Sequence, residues 1–145
     1  MKTRQAILCI IALLLLFPTV SFSQSDLTNT ELEVEELIRL SVKSIRTDLD
    51  SSVIYANMII AYGEDRNSLK YLSLGYKNLG QSYRYMNQQE KAREAYHKAV
   101  EYAEKNNDAE SAARIYPLIA HTYAAKGDNK NAMKWQKTAK LKIIA

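Results

Sequence analysis

SLGYKNLGQSYRYMNQQEKAREAYHKAVEYAEKN, residues 73–106, is the stretch that decides how this chain folds. Leu72, Tyr76, Leu79, Gly80 and Tyr83 stand three and four residues apart, which puts them on one face of an α-helix. After a polar break, Ala92, Ala95, Tyr96, Ala99, Val100 and Ala103 form a matching stripe. Sliding the chain against itself by 40 residues lays Leu79, Gly80, Tyr83, Ala92 and Ala99 on Ile119, Ala120, Tyr123, Ala132 and Ala139. One step earlier, Ser52, Ile59, Ile60, Tyr62, Glu64 and Asn67 fall under Ala92, Ala99, Val100, Tyr102, Glu104 and Asn107. A period in this range, with small residues recurring where helices must approach closely, predicts a stack of helical hairpins rather than one globular core.

Outward from this stretch, residues 31–143 read as helix cut by short polar breaks. Thr30 and Glu33 make a capping box for a first helix to about Arg46. Asp48 and Asp50 offer caps for a second reaching about Tyr62. Asn67 or Ser68 opens the third, Asn87 with Glu90 caps the fourth, Asp108 opens the fifth, and Gly127-Asp128 ends it and caps the sixth. The expected fold is all-α, an α-solenoid of about three antiparallel hairpins over 31–62, 68–105 and 108–143, with residues 24–30 as an N-terminal extension of a repeat domain spanning 31–145.

Residues 73–106 resemble a tetratricopeptide repeat. Tyr76 stands at the family's large aromatic position, Leu79-Gly80 at its Leu-Gly pair, Tyr83 at its tyrosine, Ala92 at its small residue, Tyr96 at its second aromatic and Ala99 at its second alanine. Glu104 replaces the usual proline. A second copy covers about 113–145 through Tyr116, Ile119-Ala120, Tyr123, Ala132 and Ala139, with Gln136 in place of the aromatic. A degenerate third copy lies around Ile38, Val42, Ser52, Ala56 and Ile59, and its first helix fits only with a one-residue slip. The resemblance implies a non-catalytic protein–protein interaction module, an adaptor or scaffold that binds a peptide or protein segment in a groove lined by the first helix of each hairpin.

The packing logic stands without the family. Helix axes ~8–10 Å apart need small residues at the crossing. A glycine inside a helix costs about 1 kcal/mol relative to alanine, so Gly80 is expected to serve packing. The family's usual period is ~34 residues, and this chain's is 40, so each helix should be longer by about three residues. Of the ten tyrosines, Tyr76, Tyr83, Tyr96, Tyr102, Tyr116 and Tyr123 fall on core-facing positions. Tyr85 departs from the stripe and is the better candidate for ligand contact.

The N-terminus reads as a secretory leader, residues 1–23. Lys2 and Arg4 precede an apolar run from Ala6 to Phe17, then Pro18 and a small polar stretch with Ser21 and Ser23 as cleavage-site residues. The run of 12 apolar residues is short of the ~20 that span a bilayer. Membrane contact is therefore expected only if the leader is uncleaved. Cys9 lies inside the run rather than at its end, so no lipid-attachment site is read there. The chain is expected to be exported, periplasmic or secreted. Without residues 1–23 it loses its one cysteine, which excludes a disulfide scaffold and a thiolate site. It resembles the sensing part of repeat-containing signalling proteins, without a membrane helix or signalling module of its own.

No catalytic constellation is present, and an enzyme is not expected. His97 and His121 stand alone, without metal-ligand spacing, nucleophile elbow or phosphate loop, so neither metal nor cofactor is expected. His97, beside Tyr96, is read as facing solvent. Charge is unevenly placed: residues 24–65 hold nine acids and three bases, a net of −6, whereas residues 66–145 hold 15 bases and seven acids, a net of +8. The last helix carries Lys130, Lys134, Lys137, Lys140 and Lys142. No aromatic interleaving accompanies them, so nucleic acid is not expected; they read as a solvated face or as contact with an acidic partner.

Two locations for function follow. Mapping the family's groove face onto this sequence gives Lys77, Gln81, Arg84 and Tyr85 from the middle hairpin, with Arg114, Pro117 and His121 from the last. Lys77-Asn78 matches part of the family's carboxylate-gripping pattern; Gln81 and Pro117-Leu118 depart from it, and that specificity is not carried over. Pro117 removes a backbone donor and should kink its helix. The alternative is a structural subunit or sensor remnant that associates end to end, because no further helix covers Trp135, Leu141 and Ile144.

Overall fold

The structure is a computed structural model that describes the backbone of residues 24–144 and the side chains of residues 32–142. The leader read in residues 1–23 lies outside the described residues. Six α-helices follow one another: α1 (Gln24–Ser44), α2 (Leu49–Asp65), α3 (Leu69–Tyr85), α4 (Gln89–Lys105), α5 (Ala109–Ala124) and α6 (Asn129–Ile144). There is no strand among the described residues. From α2 to α6, each helix packs on the next in sequence. Residues Leu32–Ala145 form one compact unit. This is the all-α, tetratricopeptide-like solenoid expected from the 40-residue period.

The backbone shows a finer period. Helices α2 to α6 start at Leu49, Leu69, Gln89, Ala109 and Asn129, a step of 20 residues, so both turns of each hairpin are built alike. Asn67, Asn87, Asn107 and Gly127 all sit at positive φ, between 49° and 77°. At each, the next amide bonds back five residues: Ser68 to Gly63, Gln88 to Tyr83, Asp108 to Ala103 and Asp128 to Tyr123, at 2.8–3.0 Å. This is the left-handed helix stop that glycine and asparagine tolerate best. Asn67 and Asn87 therefore close the preceding helix rather than opening the next, and Asn87 with Glu90 is not a capping box. The residue one further on takes the N-cap. Asp48 accepts from the amides of Asp50 and Ser51, Asp108 from Ser111 and Asp128 from Asn131. The box at Thr30 also fails, since α1 already begins at Gln24 and no glycine or proline between Gln24 and Glu31 stops the helix.

Helices of 16 or 17 residues from α2 onward account for the long period. Two apolar clusters hold them. One joins Ala56, Ile60, Leu72, Leu79 and Ala95, with Tyr76, Tyr83 and Tyr102 against it. The other joins Ala92, Tyr96, Ala99 and Val100 of α4, Ile115, Tyr116 and Ile119 of α5, and Ala139 of α6. All six tyrosines assigned to the core thus pack against it, whereas Tyr85 is exposed. Gly80 shows why the glycine is there: a Cβ would stand 2.6 Å from the ring of fully buried Tyr96. Where α1 meets α2, the Ser52 hydroxyl donates to the Ser41 carbonyl at 3.1 Å and lies 2.5 Å from the Ser82 hydroxyl. Small hydroxyls let three helices approach there, and the bonds satisfy groups that burial would otherwise penalise.

Candidate functional site

The groove residues divide into two places. At the first, α3 and α5 flank a cleft of about 310 Å³, floored by the last turn of α4. Lys70, Ser73 and Lys77 come from α3, Asn106 from the α4 end, and Ser111 and Arg114 from α5. The 40-residue period sets this up, because α3 and α5 begin at equivalent points of successive hairpins and both line the cleft at the end of α4. The sequence singled out Lys77 and Arg114, and the structure brings them to one cavity. It missed Lys70, Ser73, Asn106 and Ser111, whose signal was their nearness to the ends of helices at one repeat boundary.

The electrostatics of this cleft are lopsided. Burial, and then the charge of Arg114, pushes the Lys77 ammonium below the usual lysine range. No ion-pair partner reaches Lys77 among the described residues. Arg114 pairs with exposed Glu110, one helical turn earlier, and Lys70 lies 5.1 Å from the centre of the Tyr71 ring. Asp108 is also in the lining, but its carboxylate caps α5 by accepting from the Ser111 amide at 2.9 Å, which holds it below the usual carboxylate range. The Ser73 hydroxyl is committed to the Ala99 carbonyl at 2.9 Å, so an acidic group would be received by the three cations Lys70, Lys77 and Arg114 with the Asn106 amide.

At the second place, the Arg84 guanidinium lies over the Tyr85 ring at 4.6 Å. Burial pushes the Tyr96 hydroxyl up to about 12, and Arg84 beside it works against that shift. Arg84 is thus engaged by its own hairpin, while Tyr85 offers an exposed ring. Gln81 is half-buried, His121 is exposed, and neither lines the cationic cleft. Pro117 is exposed on α5, and the helix continues through it to Ala124. A wider trough of about 590 Å³ runs between the α1–α2 and α3–α4 turns past Arg46, Asp48, Asp50 and Gln88. Its charges are of both signs, and Asp48 is committed to capping α2.

At the C-terminal end, Trp135 is half-buried. It stacks on Tyr116 with ring centres 5.8 Å apart and meets the edge of His97 at 5.0 Å. His97 is therefore half-buried rather than fully solvent-facing; burial, and then Arg93, push its imidazole below the usual range. Leu141 is 60 % exposed. Ile144 is on α6, but its side chain lies outside the described residues. Among the described residues, no group of three or more His, Cys, Asp and Glu could hold a metal ion. No helix there is long and apolar enough to cross a membrane.

Comparison with known proteins agrees with this geometry. The family model described as a tetratricopeptide repeat matches residues 75–106 and 113–140, the α3–α4 and α5–α6 hairpins. No curated protein and no solved structure matches the chain significantly.

Proposed function

We propose that this tetratricopeptide repeat protein, a protein–protein interaction module by its repeats, holds an acidic segment of a partner polypeptide along α3 and α5. The observation that carries this reading is the cleft in which Lys77 is half-buried beside Arg114 with no carboxylate paired to it. Burying a cation without a partner costs free energy, and a chain keeps such an arrangement where a ligand supplies the opposite charge. Tyr85 adds an exposed aromatic surface on the same helix as Lys77. The reading is non-catalytic, and the secretory-leader pattern of residues 1–23 supports an encounter outside the cytoplasm.

A peptide array of acidic, neutral and basic decapeptides, probed with the full chain, tests it. Acidic peptides should be retained, and Lys77→Glu with Arg114→Glu should release them. Equal retention of all three classes, or retention untouched by the double substitution, would refute the reading. Retention should also weaken as pH rises, starting below the ordinary lysine range. The folded-state pKa of Lys77 is lowered, so its charge is lost earlier than that of an exposed lysine.

A further inference from the structure

The two ends of the array carry features that the middle lacks. Of the exposed large apolar side chains among the described residues, Leu32, Val42, Ile54 and Met58 lie on α1 and α2, Met133 and Leu141 lie on α6, and only Tyr85 lies between. On α6, Met133 (67 % exposed) and Leu141 share one stripe with Lys130, Lys134, Lys137 and Lys140. At 3.6 residues per turn this stripe spans roughly 120° of the helix surface. At the other end, Leu32, Leu37 and Met58 line an open cleft of about 460 Å³, rimmed by Glu33 and Glu36. Glu36 also pairs with Arg39 on the surface of α1.

Register identifies what this α6 stripe corresponds to. Forty residues earlier, Met133, Lys137 and Lys140 fall on Arg93, His97 and Val100. On α4 these positions receive the following hairpin: Arg93 lies over the Tyr123 ring at 4.3 Å, His97 meets Trp135 and Val100 joins the cluster with Ile115. Met133, Lys137 and Lys140 thus stand where another first helix would pack, while Leu141 falls on exposed Glu101 and lies at the edge of that face. An acid-rimmed apolar cleft on the first hairpin is complementary to it in both respects.

We propose that the C-terminal helix of one copy docks on the N-terminal hairpin of a second copy. Met133 and Leu141 meet Leu32, Leu37 and Met58, while Lys137 and Lys140 face Glu33 and Glu36. The two patches differ, so the contact is heterologous and propagates head to tail rather than closing as a symmetric dimer. It uses none of the side chains in the Lys77–Arg114 cleft and stands apart from peptide capture there.

Sedimentation velocity on the full chain, as a concentration series at roughly 0.02 M and 1 M salt, tests the docking. At low salt the mass should grow with concentration in steps of one chain, and at high salt it should fall toward the monomer. Lys137→Glu with Lys140→Glu should leave a monomer with an unchanged helical melt, as should Glu33→Lys with Glu36→Lys. An equimolar mixture of the two variants restores opposite charges at both contacts and should recover the larger species. A monomer at every concentration at low salt would overturn the proposal. So would association that survives both double substitutions, which would point to residues outside these patches, or a mixture that stays monomeric.

Discussion

In the middle hairpin, Gly80 of α3 lies against the ring of Tyr96 of α4, and Tyr96 is fully buried beneath α5. The same two positions in the last hairpin hold Ala120 and Gln136; the alanine is buried, but the glutamine is exposed. The hairpins share register, helix length and turn geometry, yet they sit differently in the stack. Helix α4 is covered by the hairpin that follows, and among the described residues nothing follows α6. An aromatic at this position needs a helix on each side to bury it, and the glycine opposite exists to admit the ring. Where the ring is absent, a methyl fits and the cost of a mid-helix glycine is avoided. The pair at positions 80 and 96 thus differs from the pair at 120 and 136 in the way the burial of its second member requires.

The comparison is easiest to break at the ring. Tyr96→Ala should cost about 3–5 kcal/mol in urea unfolding, whereas Gln136→Ala should stay within about 0.5 kcal/mol of the parent. Equal losses would mean that the two hairpins are not differently buried. Next comes the glycine. Gly80→Ala forces a contact at 2.6 Å, and should destabilise by about 1–3 kcal/mol before its helix-propensity gain of about 1 kcal/mol is counted. In a Tyr96→Ala background the same change should stabilise, and a double-mutant cycle reads that reversal directly.

The turns sharpen what the hairpins have in common. Asn87→Ala should lose about 1–2 kcal/mol because alanine pays the left-handed penalty at φ 59°. Asn87→Gly should be neutral or better, as the natural Gly127 at the corresponding turn suggests. A smaller effect joins the two hairpins. The Tyr116 hydroxyl donates to Glu104 at 2.6 Å, and Lys142 lies 3.0 Å from the same carboxylate. The Tyr116 bond first, then Lys142, hold the Glu104 carboxyl below the usual range. A depressed carboxyl pKa stabilises above the unfolded-state value, and that stability is lost as pH falls through the folded-state value. Glu104 is largely solvated, so the difference in melting temperature between the parent and Glu104→Gln should correspond to a few tenths of a kcal/mol. It should vanish on acidification.

Much of the fold was legible because helical period and repeat period are both written in side-chain size. The stripe from Leu72 to Tyr83, the alanines at 92, 99, 132 and 139, and the Leu-Gly pair place helices and contacts from local spacing alone. The sequence leaves Asn67 or Ser68 open as the start of α3, and Ser68 takes the cap; Asn87 is a stop rather than the expected cap, since asparagine serves both as an N-cap and at a left-handed stop. Only the backbone angle separates the two. The cleft was half legible: Lys77 and Arg114 could be mapped by register, but Ser73, Asn106 and Ser111 carry no signature until three helix ends meet. His97 reads as solvent-facing from its neighbour Tyr96, and it is half-buried because of Trp135, 38 residues away.

By itself, the sequence determined that this chain forms hairpins of one length stacked in one order, because apolar spacing and small residues act locally and repeat. Tertiary structure alone decided which charges stand together in one cleft. The meeting of Lys77 and Arg114 in one cleft, and the lack of an ion pair to Lys77 among the described residues, follow from how whole helices lie against one another, and no single stretch of chain contains that information.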